Sequence, residues 1–238
     1  MTPASPRPST RADAKAAILD AAEAAFSEAG FAGAGMKAIA LQAGVAQGLL
    51  HYHFGNKDGL YEAVIERRAL LITGAREALL DEIDMAASDT VPRIFEAFFR
   101  PPFGPEGGGR VFARIFALLP IGDARDAALV ERFYDPSARK FIDALMAARP
   151  DASRETCAWG YAMALSLLVG SVGCSDRAIR LADATLPAEY DTEALIAPLT
   201  RHATGGFAAL CDGETDRHSR RDLWEGVAHP REEPRCES

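Results

Sequence analysis

The stretch Met36–Phe54, MKAIALQAGVAQGLLHYHF, decides how the rest of the chain is read. It divides into two short helical segments joined by a tight turn, with Ile39 and Ala40 on the first, Gly44 and Val45 in the turn and Leu50 on the second. Two helices crossing in contact need a small residue where they touch, here Ala40, and a glycine where the backbone reverses, here Gly44. Ile39, Val45 and Leu50 then form an apolar wedge that fixes the crossing angle. Gln47, Gly48, Leu49, His51, Tyr52 and His53 are left on or near the exposed side of the second helix. No aspartate or glutamate occurs from Ala29 to Lys57, whereas Lys37, His51, His53 and Lys57 lie inside that window. A surface that meets phosphates excludes carboxylates.

Working outward, Thr10 or Asp13 caps a first helix that is expected to run to Ala29 and stop at Gly30. Ile18, Leu19, Ala22, Ala25 and Phe26 recur on it at helical spacing. This face is expected to cover the back of the helix pair, because three helices are the smallest unit that buries the wedge. On the other side, Asn56 caps a helix opening at Lys57. A lysine at a helix N-terminus opposes the macrodipole, and a phosphate partner accounts for it. Apolar positions from Leu60 through Ile83 carry this helix to about Met85, roughly 40 Å in all. It is long enough to join the first unit to whatever follows.

The run AGVAQGLLHYHFGNKDGLY, residues 43–61, resembles the DNA-binding signature of TetR-type transcriptional repressors, and the likeness extends from about Arg11 to Arg68. Hydrophobic spacing, turn glycine, Tyr-His-Phe and Asn-Lys-Asp all fall in register. Gly35, Ala46 and Leu49 depart from the pattern, standing where hydroxyl residues are usual. Alanine is a poor cap, which makes the second helix weaker by about 1 kcal/mol. The resemblance implies an all-α protein: an N-terminal three-helix helix-turn-helix domain joined by a long helix to a C-terminal helical domain for ligand binding and dimerisation. It implies a regulator, expected to be a homodimeric repressor released from a palindromic DNA operator by a small apolar effector. Gln47, Gly48, Leu49 and His51 are then the expected base readers, and Lys37, Tyr52, His53 and Lys57 the phosphate contacts.

Beyond Asp89, Thr90 and Pro92 begin a helix expected to end at Arg100-Pro101-Pro102. Further helices are expected over 110–119, 124–148, 153–174 and 192–211, broken by Pro120, Pro150 and Pro187. No stretch alternates with period two, so no sheet is expected. Phe95, Phe98, Phe99, Phe103, Phe112 and Phe116 are six of the twelve phenylalanines. With Trp159, Tyr161 and Met163 they are candidates to line an effector cavity between helices, against the alternative of ordinary core. No buried charge stands out, which favours a largely hydrophobic ligand. Ala158, Ala162, Ser166, Gly170 and Cys174, each four apart, form a ridge of small residues. Proteins similar to this one dimerise through their last two long helices; the alternative is a close contact inside one subunit.

The net charge of −8 at first opposes nucleic-acid binding. Residues 1–54 are neutral, however, with Arg7, Arg11, Lys15 and Lys37 against Asp13, Asp20, Glu23 and Glu28. The acidity lies elsewhere, and a weakly charged reader needs two copies for affinity. Cys157, Cys174, Cys211 and Cys236 are too scattered for a metal or redox motif, and reduced cytoplasmic thiols are expected. The uncharged run Thr156–Ser175 is long enough to span a bilayer, but its small and polar residues suit a buried helix. The chain is divided into an arm (1–10), a helix-turn-helix domain (11–56), an effector and dimerisation domain (57–211) and a disordered tail (212–238). No cofactor, metal centre or membrane partner is expected. An all-helical enzyme is disfavoured because His51 and His53 diverge and no catalytic arrangement of side chains is apparent. A protein-interaction module is disfavoured by the acid-free window.

Overall fold

Helix α1 (Arg11–Gly33) begins where the Thr10 hydroxyl accepts a bond from the Asp13 amide at 3.1 Å and the Asp13 carboxylate accepts one from the Thr10 amide at 3.0 Å. The two bonds satisfy donors that the first turn would otherwise leave open. The computed structural model to which this helix belongs describes residues 10–108, 122–183 and 193–214, together with Phe112, Ile115 and Leu119. Gly30, at φ 67° and ψ 177°, breaks the regular helix as expected, yet a last turn continues to Gly33.

Helices α2 (Met36–Gln42) and α3 (Gln47–Phe54) follow, separated by a turn in which Gly44 takes φ +69°. A residue with a Cβ is strained there. As the sequence suggested, neither helix has a side-chain cap. Helix α4 (Lys57–Asp81) is capped by Asn56, whose side chain accepts from the Gly59 amide at 2.9 Å. It ends four residues before the expected Met85. Gly59 is itself required, because a Cβ at that position would lie 2.3 Å from the Phe54 carbonyl oxygen. Ile18, Ala22, Phe26, Ile39, Leu50, Leu60, Val64 and Ile65 bury completely or nearly so and fuse α1 to α4 into one head. Phe26, Phe31 and Tyr61 meet within it edge to face or stacked, at 5.1–6.1 Å.

The second unit contains α5 (Thr90–Phe103), a 3-10 turn (Pro105–Gly107), α6 (Ala124–Phe133), α7 (Asp135–Ala148), α8 (Arg154–Leu181) and α9 (Glu193–Glu214). No strand occurs among the described residues. Helix α5 packs against α4, α7 and α9, while α8 packs against α7 and α9. Helix α5 ends at Phe103, one residue past the expected Arg100-Pro101-Pro102, so Pro101 and Pro102 lie inside its last turn. A proline cannot donate to the carbonyl four residues back, so Pro102 leaves the carbonyl of Phe98 without its helical partner. The expected single helix over 124–148 is divided at Tyr134, because Pro136 cannot donate to the Arg132 carbonyl but fits the first turn of a new helix. Helix α8 runs on to Leu181 rather than ending at Cys174. The helix expected over 110–119 lies outside the described residues except at Phe112, Ile115 and Leu119, as do the arm before Thr10 and the tail after Glu214.

At Gly160, α8 lies close against Phe207 of α9. A Cβ there would stand 2.5 Å from Cδ2 of Phe207, which is buried and lies edge-to-face on Phe95 at 5.9 Å. Gly160→Ala is therefore expected to force Phe207 off its site and cost about 1–3 kcal/mol. A thermal melt followed by circular dichroism checks this; an unchanged midpoint would show that the α8–α9 contact is loose.

Candidate nucleic-acid interface

Helix α3 presents Gln47, Gly48, His51 and Tyr52 to solvent, with Lys37 of α2 also exposed. Leu49 is half-buried and Leu50 fully buried. The His51 Nδ1–H donates to the Gly55 carbonyl at 2.8 Å, which leaves Nε2 as the acceptor facing the Gln47 amide at 3.4 Å. Gly55 reaches this position at φ +72°, so the turn that ends α3 also fixes the imidazole.

Tyr52, 67% exposed, accepts a hydrogen bond from Arg11 Nη2, and the guanidinium lies 5.0 Å over its ring. The start of α1 thus positions a cation and a phenol side by side at the end of α3. His53 packs against Tyr52 at 5.3 Å and Phe54 at 5.9 Å, with Nε2 buried and unpartnered. His53, expected as a phosphate contact, thus packs its ring against Tyr52 and Phe54 and turns Nε2 away from solvent. Lys57 donates to the Ala32 carbonyl at 3.0 Å and lies 4.8 Å over Phe31. The end of α1 therefore supplies much of the compensation that the sequence reading assigned to a phosphate. Leu41, 83% exposed on α2, was missed; nothing in its local pattern separates it from a core position.

Charged side chains join α1 to α4 inside the head and reach from there to the second unit. Glu23 of α1 is buried at 3% exposure, and its carboxylate receives Arg67 at 2.6 Å and Arg68 at 2.9–3.0 Å, both from α4. Arg67 also pairs with Asp20 at 2.6 Å, while Arg68 reaches the Glu106 carbonyl at 3.4 Å in the turn after α5. Arg125 of α6 stacks over Phe31 at 3.8 Å and Tyr61 at 4.6 Å and pairs with Asp126 at 3.1 Å. Burial, with Asp126 beside it, pushes the Tyr61 phenol up to about 12.

In the second unit Phe95, Phe98, Phe99 and Phe112 are fully buried, Tyr161 lies against Phe98 at 5.1 Å, and Phe103 is half-buried. Phe116 lies outside the described residues. Trp159 and Met163 are 40% and 48% exposed, on the side of α8 opposite Tyr161, so in the single chain they do not line an interior space. A groove of about 420 Å³ opens between α4, the end of α5 and α9, lined by Ala75, Leu79, Phe103, Pro105, Glu106 and Ile196 among others. The expectation that no charge is buried here fails at Arg76. This side chain is 2% exposed, its Nε donates to the Phe98 carbonyl at 2.8 Å, and its guanidinium lies 3.9 Å over the Phe98 ring. Burial pulls its pKa down and pushes those of Tyr134 and Tyr161 up. The signal was present: Arg76 continues the buried row Ile65, Ala69, Ile72 at helical spacing.

Ala158 and Ala162 are half-buried, Ser166 and Gly170 are exposed, and no atom lies within 4 Å of a Cβ built at Gly170. The side chain of Cys174 lies outside the described residues. The close contact within the subunit uses a different row of α8: Cys157, Gly160, Ala164 and Leu168. Among the described residues no group of side chains forms a metal cluster, and no helix is long and apolar enough to cross a membrane.

Residues 18–64 match the family model of bacterial regulatory proteins of the tetR family, and residues 94–206 match the tetracyclin repressor-like C-terminal domain. The HTH-type transcriptional activator FasR of Mycolicibacterium smegmatis is 39% identical over 90 residues, which is 37% of this chain and 40% of that one. An HTH-type transcriptional repressor of Mycobacterium tuberculosis is 33% identical over 141 residues, 58% of this chain and 62% of that one. The matches thus span 40% and 62% of those relatives' lengths. In fold, the chain is similar to the fatty acid degradation regulator FadR of Bacillus halodurans, with a TM-score of 0.62, 18% identity and coverage of 81% and 95% of the two chains. It is similar too to a TetR-like regulator of Rhodococcus sp. RHA1, with a TM-score of 0.60, 20% identity and coverage of 82% and 96%. With both halves of the family's architecture present in order, this chain belongs to the TetR family of helix-turn-helix transcriptional regulators.

Proposed function

We propose that this regulator acts as a homodimeric, ligand-responsive repressor that leaves a palindromic operator when a small molecule with a largely apolar body enters its second unit. The observation that carries the reading is the double membership of α4. Its first half is buried in the head, Arg67 and Arg68 clasp Glu23 of α1, and Arg76 lies in the core of the second unit. A displacement of α4 in the core is therefore passed to the head as a rigid movement. A ligand produces it only by stabilising one arrangement over the other.

In the proposed complex the two α3 helices of a dimer enter successive major grooves about 34–36 Å apart or somewhat more. Gln47 is the principal base reader, since its amide suits adenine and its bond to His51 is long enough to exchange. Gly48 admits close approach, and Leu49 and His51 contribute less. Lys37, Arg11 with Tyr52, and the remaining donors of Lys57 hold phosphates and set register. The dimer is proposed to form over the ridge Ala158, Ala162, Ser166, Gly170 and Cys174. Trp159 and Met163 of α8 and Gly205, Gly206 and Ala209 of α9 are exposed beside it. Small residues there let a partner helix approach closely.

Footprinting on DNA flanking the coding region, at two salt concentrations, tests the whole reading; absence of salt-sensitive protection on any duplex would refute it. A reporter behind the protected site should rise when the regulator is deleted, and a fall would make it an activator. Lys37→Ala is expected to lower the dependence of log affinity on log salt by about one. An unchanged slope would remove Lys37 from the phosphate contacts. Gly170→Leu should convert a dimer to a monomer in sedimentation velocity, and persistence of the dimer would place the interface elsewhere. For the α1–α4 clasp, Glu23→Gln and Arg68→Met should each cost about 3 kcal/mol, with the double variant costing clearly less than their sum. Strict additivity in denaturant unfolding would show that the pair does not act as a unit.

A further inference from the structure

Arg76 is a cation held in the interior without a counter-ion. Among the described residues no carboxylate pairs with it, and Nη2 is buried with no hydrogen-bond acceptor. Two of its features have a local explanation. Nε replaces the amide that Pro102 lacks, by donating to the Phe98 carbonyl, and the face of the guanidinium rests on the Phe98 ring. Neither accounts for Nη2. A neutral donor such as glutamine is enough to satisfy one carbonyl, whereas a buried charge is costly unless it is paired.

The surroundings are apolar and aromatic. Phe98 touches Phe99 at 5.2 Å, Phe141 at 5.8 Å and Tyr161 at 5.1 Å, and Tyr134 and Tyr161 are the groups whose charge would act on Arg76. Both phenols are neutral at ordinary pH, since burial raises their pKa values. They offer hydroxyls but no compensating charge.

We propose that Arg76 is the anchor for the anionic end of the effector, a molecule with an apolar body and a terminal carboxylate or phosphate. The guanidinium's planar fork presents donors on Nη1 and Nη2 to such an oxyanion, and the neighbouring aromatic rings accept the apolar body. This inference rests on the ligand-responsive reading above and refines it. Arg76 stands eight residues beyond Arg68 on the same helix, so an anion that draws on Arg76 displaces the element that clasps Glu23.

The test uses the full chain and three probes of one alkyl length: decanoate, decyl phosphate and decanol. Affinities are measured by isothermal titration, and release of the footprinted DNA is measured in parallel. At least one acid should bind the wild type about tenfold or more tightly than the alcohol, as charge-assisted hydrogen bonds require. In Arg76→Gln, which keeps a donor for the Phe98 carbonyl but not the charge, that ratio should fall to near one while decanol binding is unchanged. Should Arg76→Gln fail to fold by circular dichroism, Arg76→Lys carries the test; it keeps the charge, loses the fork and should lower the ratio severalfold. Which acid is preferred distinguishes carboxylate from phosphate. Equal binding of acid and alcohol to the wild type, or a ratio unchanged in a folded variant, would overturn the anchor while leaving ligand response intact. If no probe binds or releases DNA, the anchor and the proposed ligand response are overturned together.

Discussion

A single buried carboxylate locks the first and fourth helices of the head together. Glu23 is buried on α1 and is met by the half-buried Arg67 and Arg68 from α4, so a carboxylate taken out of water has two cations on it. Burial of this kind is tolerated only when the partners are present and aligned; losing one side leaves a penalty of about 3–5 kcal/mol. The turn after α5 is built against the same point. Gly108 takes φ +72°, and a Cβ there would stand 2.7 Å from the Arg68 guanidinium carbon. Gly107 lies so near Pro102 that a Cβ would overlap its carbonyl oxygen at 1.8 Å. Backbone replaces side chains so that the second unit can touch the clasp directly.

The prolines ending α5 have a matching effect deeper in the core. A helix interior tolerates proline only if the released carbonyl finds another donor. Here Arg76 provides it for Phe98, and a charged side chain enters a region otherwise filled by aromatic rings. The same helix therefore bears two unlike polar devices. One is an ion cluster in the head whose cations are paired with carboxylates, and the other a cation facing the core with no carboxylate beside it among the described residues. The first makes α4 rigid with the head; the second leaves the core with an unmet demand for negative charge.

The outer faces follow a different rule. Helix α8 packs Cys157, Gly160, Ala164 and Leu168 inward and turns Trp159, Met163, Ser166 and Gly170 outward, so both sides of one helix are built for close or apolar contact. On the head, α3 exposes an amide, a glycine, an imidazole and a phenol with no carboxylate near in sequence. The His51–Gly55 bond and the Arg11–Tyr52 pair fix the orientation of the imidazole and the phenol within the chain itself.

Local pattern was enough for the helix-turn-helix. Ile39, Leu50, Gly44 and Asn56 act through neighbours a few residues away, and the structure places each where its chemistry requires. The all-helical class was likewise set by period and by turn residues. Extent differs mainly at Pro136, which starts a new helix inside the span expected as one, whereas Pro101 and Pro102 do end α5 to within a residue. Tertiary packing alone decided which face of α8 is inward, that Lys57 is satisfied by Ala32, that His53 is turned in, and that Glu23 is buried. The physical reason is range. Helix formation and capping are settled within about one turn, whereas the worth of a charge depends on what distant segments bring within a few ångströms of it. The three arginines of α4 show it: the fold supplies Arg67 and Arg68 with Glu23 and gives the more deeply buried Arg76 the Phe98 ring and one carbonyl.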